Sequence, residues 1–362
     1  MTFPELGCYG LAGHSGSPRD LLEEVRAAEE LGLGAVFLSE RFNTKDAAVL
    51  AGAAGAVSTR IGIGTAATNH NTRHPAVTAT MAVTAHRLTG GRYALGLGRG
   101  FGLLFDVMGL PRVTGAQLED AIGIYRRLWR GEAFGHDGPA GSYPILSLDS
   151  TFDERIPVLM MAIGDRSLEL AGRVADGVVL HTFLTEETLA RSVGVIRNAA
   201  AEAGRDPADV RVWAVLATVT DELPEELRLR KLVGRLATYL QGYGDVLVRA
   251  NGWDPDALQR FRDDPLVQGY PGAFDAVGTV EELSALRDRA IPADWLAASA
   301  TGSAEECAAR VLDQLEAGAD SVILHGATPA ELAPVVEAYA RIRPEGRFDQ
   351  LPANPGWCSG SG

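Results

Sequence analysis

Cysteine is scarce in this 362-residue chain: Cys8, Cys307 and Cys358 lie far apart and form no C-x-x-C pair. That excludes a disulfide framework and a zinc site built on paired cysteines, and isolated thiols suit a reducing compartment. Positive charge is also in short supply, with 33 Lys and Arg against 47 Asp and Glu and a formal net charge of −14. An acidic balance of that size opposes binding to nucleic acid or anionic membranes, so neither is expected as a partner. No apolar run has membrane-spanning length; "AAVLAGAAGAV" is too short and too rich in small residues. The opening "MTFPELGCYG" lacks the basic and apolar regions of a signal peptide, and the cytoplasm is the expected location.

What is present is 46% hydrophobic residues and 42 glycines, enough for one large core. Short apolar runs alternate with stretches whose apolar residues recur every three or four positions. The strand candidates are 6–12, 35–39, 60–65, 92–98, 156–162, 177–182, 210–219 and 321–326. Helix signals punctuate them: Ser17 before Pro18, a capping box from Ser303 to Glu306, and Gly32 and Gly318 at helix ends. Eight such units in series predict an α/β fold, a (β/α)8 TIM barrel, with an open doubly wound sheet as the alternative. Residues 132–155 read as an irregular spacer. Residues 221–300 read as a largely helical insertion between strands seven and eight, over the carboxyl-terminal mouth. This gives a single domain over residues 1–345 and a tail, 346–362, whose end "PANPGWCSGSG" is expected to be mobile.

In a barrel, reactive groups gather where strands end. Glu40 and Arg41 follow strand two, and the polar loop within "GTAATNHNTRHP" (64–75) follows strand three. Arg99, Gly100 and Phe101 follow strand four, and Gly164, Asp165, Arg166 and Ser167 follow strand five. His181 and Thr182 end strand six, and His325 and Gly326 end strand eight. His70 and His74 are four apart but sit on a loop before Pro75 without a third ligand. No metal is expected, and His74 is placed as the cap of the helix starting at Pro75. The stretch "LGLGRGFG" (95–102) departs from G-x-G-x-x-G, which argues against a dinucleotide site. Its glycines serve a tight turn, a close backbone approach to a flat ligand, or both. At Gly164–Ser167 two readings stand together: an anion site at a helix start with Arg166 as donor, or Asp165 simply capping that helix.

Four stretches, "RAAEELGLGAVFLSER", "IGIGTAATNHNTRHPAVTATMAVTAHRLTGGRYALGLGRG", "LELAGRVADGVVLHT" and "CAARVLDQLEAGADSVILHGATP", resemble the bacterial luciferase-like superfamily of flavin and deazaflavin enzymes. The segment "ATYLQGYGDVLVRANGWDPDAL" (237–258) is similar to that of an actinobacterial subgroup of oxidoreductases using coenzyme F420. The resemblance implies a cofactor ring at the carboxyl ends of the strands, backed by a non-proline cis peptide that falls by position at Ala66–Ala67. Thr65, Thr68 and Asn69 would then satisfy the backbone or the polar edge of the cofactor. The strand-four turn at Arg99 and Gly100 would lie nearby, and the cofactor phosphate at Gly164–Ser167.

The implied chemistry is hydride transfer between the deazaflavin and a small organic substrate. Glu40, expected beside a flat apolar ring, is the first choice for proton donor or acceptor, with Arg41 orienting charge and His181 in reserve. An FMN-dependent monooxygenase fed by a partner reductase and a non-catalytic flavin-binding barrel are the alternatives. A homodimer is the family expectation. Sugar-phosphate dehydrogenases of the family carry Asp-His after strand two and a glutamate after strand four. Glu40, Arg41 and Phe101 stand there instead, which speaks against that substrate.

Overall fold

A computed structural model describes residues 1–12, 16–42, 44–100 and 102–357. Its strands are β1 (Phe3–Tyr9), β2 (Leu33–Leu38), β3 (Gly62–Thr65), β4 (Tyr93–Leu97), β5 (Phe134–Gly138), β6 (Gly141–Leu146), β7 (Val158–Met161), β8 (Gly177–Val179), β9 (Arg211–Thr220), β10 (Ala300–Gly302) and β11 (Ser321–His325). Eight of them pair in parallel in the order β1-β2-β3-β4-β7-β8-β9-β11, and β11 closes on β1. Helices fill the connections, so the fold is a (β/α)8 barrel, and the eight strands expected from sequence are its staves.

The strands read as nearly unbroken apolar runs because helices cover one face and the barrel interior the other. All ten residues of β9 are buried. Alternation still decides which layer each side chain joins: Trp213 and Val215 point inward with Phe37, Leu159 and Ile323, while Val212, Ala214 and Leu216 meet the helical layer. Phe37 and Trp213 meet edge to face at 4.9 Å. Gly7 makes room for them, since a Cβ there would lie 2.9 Å from the Phe37 ring and 3.2 Å from that of Trp213.

The local signals hold. Ser303 caps its helix and Glu306 returns the bond, while Gly32 and Gly318 take φ of 82° and 107°. Three expectations need correction. First, β1 begins at Phe3, three residues early. Glu5 disguised the start; it is fully buried because Arg343 (2.6 Å) and the Tyr339 hydroxyl (2.9 Å) satisfy its carboxylate. Second, part of the 132–155 spacer is a hairpin, β5 pairing antiparallel with β6. Its Gly- and Pro-rich turn and largely exposed faces hid any apolar period.

Third, the tail is built in as far as Trp357. Arg211, 1% exposed at the start of β9, donates to the carbonyls of Asn354 (3.1 Å) and Trp357 (3.2 Å). Trp213 Nε1 donates to Pro355 O at 2.8 Å, and Asn354 Nδ2 to Gly91 O at 2.7 Å. Residues 352–357 thus close the amino-terminal floor of the barrel. The expected mobility of the final residues, Cys358 among them, falls outside the described residues. Cys8 and Cys307 are buried free thiols; burial pushes both up, Cys307 to about 12.

Between β9 and β10 the chain forms helices Glu225–Leu229, Arg235–Asn251, Pro255–Asp263, Phe274–Val277, Val280–Arg289 and Ala293–Ala297. The long helix Arg235–Asn251 kinks at Tyr243, whose φ of −155° is not helical. Among the described residues no helix is long and apolar enough to cross a membrane.

Candidate active site

The carboxyl ends of the strands open into one cavity of ≈ 2280 Å³, walled on one side by the helix Arg235–Asn251. Of the strand-end residues singled out in the sequence, Thr65 and Gly326 do not line the cavity, and Phe101 lies outside the described residues. Glu40, Arg41, Ala66, Ala67, Thr68, Arg99, Gly100, Gly164, Asp165, Arg166, Ser167 and His181 all line it.

The wall at the end of β3 is made of backbone and methyl groups. The Ala66–Ala67 peptide is cis, as the resemblance implies. Its flanks are tied to three strands: Ala66 N donates to Leu38 O (2.7 Å), Glu40 N to Ala67 O (3.1 Å) and Thr68 N to Gly96 O (3.0 Å). Thr65 Oγ1 both donates to Gly96 O (2.9 Å) and accepts from Gly96 N (2.7 Å). This explains Gly96 in β4 and Gly98 just after it. A Cβ on Gly96 would lie 1.6 Å from Thr65 O, and one on Gly98 3.1 Å from the Ala67 methyl. The close approach made there is that of the β3 backbone.

Glu40 does not have the apolar setting expected of it. Its side chain is 3% exposed, yet donors surround it: Arg73 at 2.5 and 3.0 Å, Thr68 Oγ1 at 2.7 Å, Ala47 N at 3.2 Å and Asn69 Nδ2 at 3.4 Å. Arg73 also reaches Asp46 at 2.6 Å, and these bonds, Glu40 first, hold its guanidinium above the usual arginine range. A carboxylate so fully engaged anchors the loop after β3 to the end of β2. Within that loop His74 caps the helix Pro75–Leu88, accepting from Ala76 N at 3.2 Å, and His70 is a satisfied buried histidine. Among the described residues no cluster of three or more His, Cys, Asp or Glu could hold a metal ion.

His181 ends β8 and meets the insertion. Thr182 O can only accept, so Nδ1 carries the proton and donates to it at 2.8 Å. Nε2 then accepts from the Tyr243 hydroxyl at 2.7 Å. Tyr239 and Tyr243, four apart on one helix face, both pack edge-on against the imidazole. Burial pushes His181 from 6.5 down to about 4, and pushes Tyr243 well above 10. His325, edge-on to Tyr9, is also held well below the usual histidine range, by burial first and then by Arg235.

The depressed His181 value makes a stability statement. With the folded value at about 4 and the ordinary one at 6.5, the unfolded chain binds the extra proton in between. Stability is undiminished above pH 6.5 and is lost as the pH falls towards about 4. His181→Gln should therefore lose less stability than the parent over that window, read from urea midpoints at a series of pH values. Parallel losses in both proteins would refute the neutral, buried assignment.

At the far rim, Gly164 caps the helix Asp165–Val174 without any side-chain bond. The reading of Asp165 as that cap is not met: its carboxylate turns to Arg191 at 2.5 Å. Ser167 Oγ donates back to Gly164 O at 2.7 Å, and Arg166 is exposed on the cavity. Among the described residues the first-turn amides have no side-chain cap, and Arg166 beside them has no ion-pair partner.

Among the cavity residues that the sequence reading missed are Tyr9, Arg235, Tyr239 and Tyr243. The two tyrosines of the insertion could have been noticed from their i, i+4 spacing, but nothing local ties them to His181.

Fold and site together define a (β/α)8 barrel with a ligand-sized cavity at the strands' carboxyl ends. The chain belongs to the luciferase-like monooxygenase family, whose sequence model matches residues 2–321. It is 27% identical over 303 residues to a 5,10-methylenetetrahydromethanopterin reductase of Methanolobus tindarius, covering 83% of this chain and 87% of that one. It is 29% identical over 275 residues to an F420-dependent glucose-6-phosphate dehydrogenase of Microbacterium testaceum, covering 71% and 75%. Among solved structures, the coenzyme F420 dependent tetrahydromethanopterin reductase from Methanopyrus kandleri shares the fold with a TM-score of 0.76 at 20% identity, over 93% of this chain and 99% of that one.

Proposed function

We propose that this chain is an F420-dependent oxidoreductase acting on a small organic substrate. Relatives named for F420 support the cofactor, and the observation that carries the reading is the flat wall of Ala66, Ala67 and Gly98 in the cavity. A wall of methyl groups and backbone suits the face of a planar ring. The uncapped helix start at Gly164 with Arg166 suits its phosphate, and Asp165, turned to Arg191, does not stand in the way. When bound, the deazaflavin supplies hydride transfer.

The protein's share is binding, orientation and the proton. We assign Ala66, Ala67 and Thr68 to the ring, Arg99 and Gly100 to the adjoining rim, and Gly164–Ser167 to the phosphate. Glu40 is a positioning residue, because its oxygens are spent on Arg73, Thr68 and Asn69. Proton transfer falls to His181 Nε2 and Tyr243 Oη, the hydrogen-bonded pair that reaches the cavity. Residues 221–300 form the cover of a single-domain barrel in this reading. The enzyme is taken as a cytoplasmic homodimer, a state that sedimentation would check.

Titrating F420 and FMN by fluorescence tests the cofactor: F420 should bind more tightly, and preferential FMN binding would replace this reading with the monooxygenase one. In the same assay Arg166→Ala should weaken F420 binding by about 1–3 kcal/mol, the loss of a hydrogen bond to a charged group. Unchanged affinity would move the phosphate elsewhere on the rim.

A further inference from the structure

Arg41 has no role in the cofactor assignments above. Its backbone is fixed by reciprocal bonds with Lys45, N to O at 2.9 and 3.0 Å. Its side chain reaches the cavity but makes no hydrogen bond or ion pair with any described residue. Burial, and next the charge of Arg235, hold it below the usual arginine range. Arg235 lines the same cavity from the insertion helix and is 4% exposed.

Among the described residues, the nearby charges do not neutralise this pair. Arg235 Nε lies 3.3 Å from Asp275 Oδ2, and Thr238 Oγ1 donates to Asp275 Oδ1 at 2.9 Å. Lys45 Nζ donates to Leu11 O at 2.5 Å, and Glu24 accepts from Leu11 N at 2.5 Å. Among the described residues of this group, three cations (Arg41, Lys45, Arg235) thus face two carboxyl groups (Glu24, Asp275), one more positive charge than negative. His181 and His325 are neutral and add nothing to that count.

A guanidinium withdrawn from water without an acceptor is costly, and an oxyanion accepting its parallel N–H bonds removes that cost. A single surplus charge matches a single anionic group. Tyr9, Tyr239 and Tyr243 line the cavity and can flank the apolar body of a molecule held in this way.

We propose that the substrate of this site is a carboxylic acid whose carboxylate is held by Arg41, with Arg235 behind it. The proposal rests on the oxidoreductase reading of the cavity, which it deepens by naming the class of substrate.

The test uses the F420-loaded protein and shape-matched pairs of acid and amide: acetate and acetamide, benzoate and benzamide, cyclohexanecarboxylate and its amide. Calorimetry should show each acid that binds doing so about tenfold or more tightly than its amide, the worth of a charge-assisted hydrogen bond. Arg41→Gln should abolish that preference and leave the F420 titration unchanged, while Arg41→Lys should keep part of it. If Arg41→Gln does not fold, the acid-to-amide ratio of the parent decides alone. Equal binding of acids and amides, no binding by any pair, or a preference that survives in Arg41→Gln would overturn the proposal. Methyl phosphate outbinding every acid would overturn the choice of carboxylate. An acid preference in a protein that fails to bind F420 would sink the oxidoreductase reading, and with it the assignment of the anion as substrate.

Discussion

Ending the chain at Leu351 should destabilise the fold by about 3–5 kcal/mol, the cost of leaving a buried charge without its partners. Arg211 is 1% exposed, and the truncation removes its acceptors at Asn354 (3.1 Å), Trp357 (3.2 Å) and Pro352 (3.4 Å). Pro4 O, at 2.6 Å, and Ser321 Oγ, at 3.0 Å, remain. The Trp213 indole loses its acceptor as well, a further buried polar group left unsatisfied. Guanidinium midpoints of full and shortened chains measure the effect. A second comparison isolates its cause: Arg211→Met should cost less in the shortened chain than in the full one, because there the charge has lost most of its partners. Equal midpoints for full and shortened chains would mean that the floor contributes no stability.

The second large effect concerns turnover. With a substrate drawn from the acid series, Tyr243→Phe should lower kcat about 100-fold, the ordinary scale of a lost proton-transfer group, with F420 affinity unchanged. The substitution keeps the ring, and so the packing against His181 and Tyr239, while deleting the hydroxyl that bonds Nε2 at 2.7 Å. His181→Gln should fall by a similar factor, and the double variant should fall little further, since residues acting as a unit are not additive. A pH–rate profile adds a readout that a merely structural role would not move: the limb set by the pair should shift in Tyr243→Phe. Turnover at the parent level in both single variants would return the proton to a group outside this pair.

The barrel and the position of its mouth were legible because they depend on local pattern. Apolar runs of strand length, capped helix starts such as Ser303 with Glu306, and positive-φ glycines such as Gly318 are properties of adjacent residues. They also placed the polar loop ends on one rim, since parallel strands all finish on the same side. Where local pattern was blurred the reading failed: Glu5 concealed the start of β1, and the polar hairpin β5–β6 carried no apolar period.

Partners were decided by the tertiary structure alone. Glu40 meets Arg73 across 33 positions, and His181 meets Tyr243 across 62. Arg211 finds its carbonyls 143 and 146 residues away, in a segment whose composition suggested mobility. A carboxylate after β2 has the same local sequence whether it faces an apolar ring or an arginine, and a terminal Asn-Pro-Gly the same whether it floats or closes a barrel. Periodicity is written in neighbouring residues, so the chain itself fixes where strands and helices form. Which charge meets which donor depends on how those elements pack, because desolvation and hydrogen bonding act only between groups that the fold has brought within contact distance.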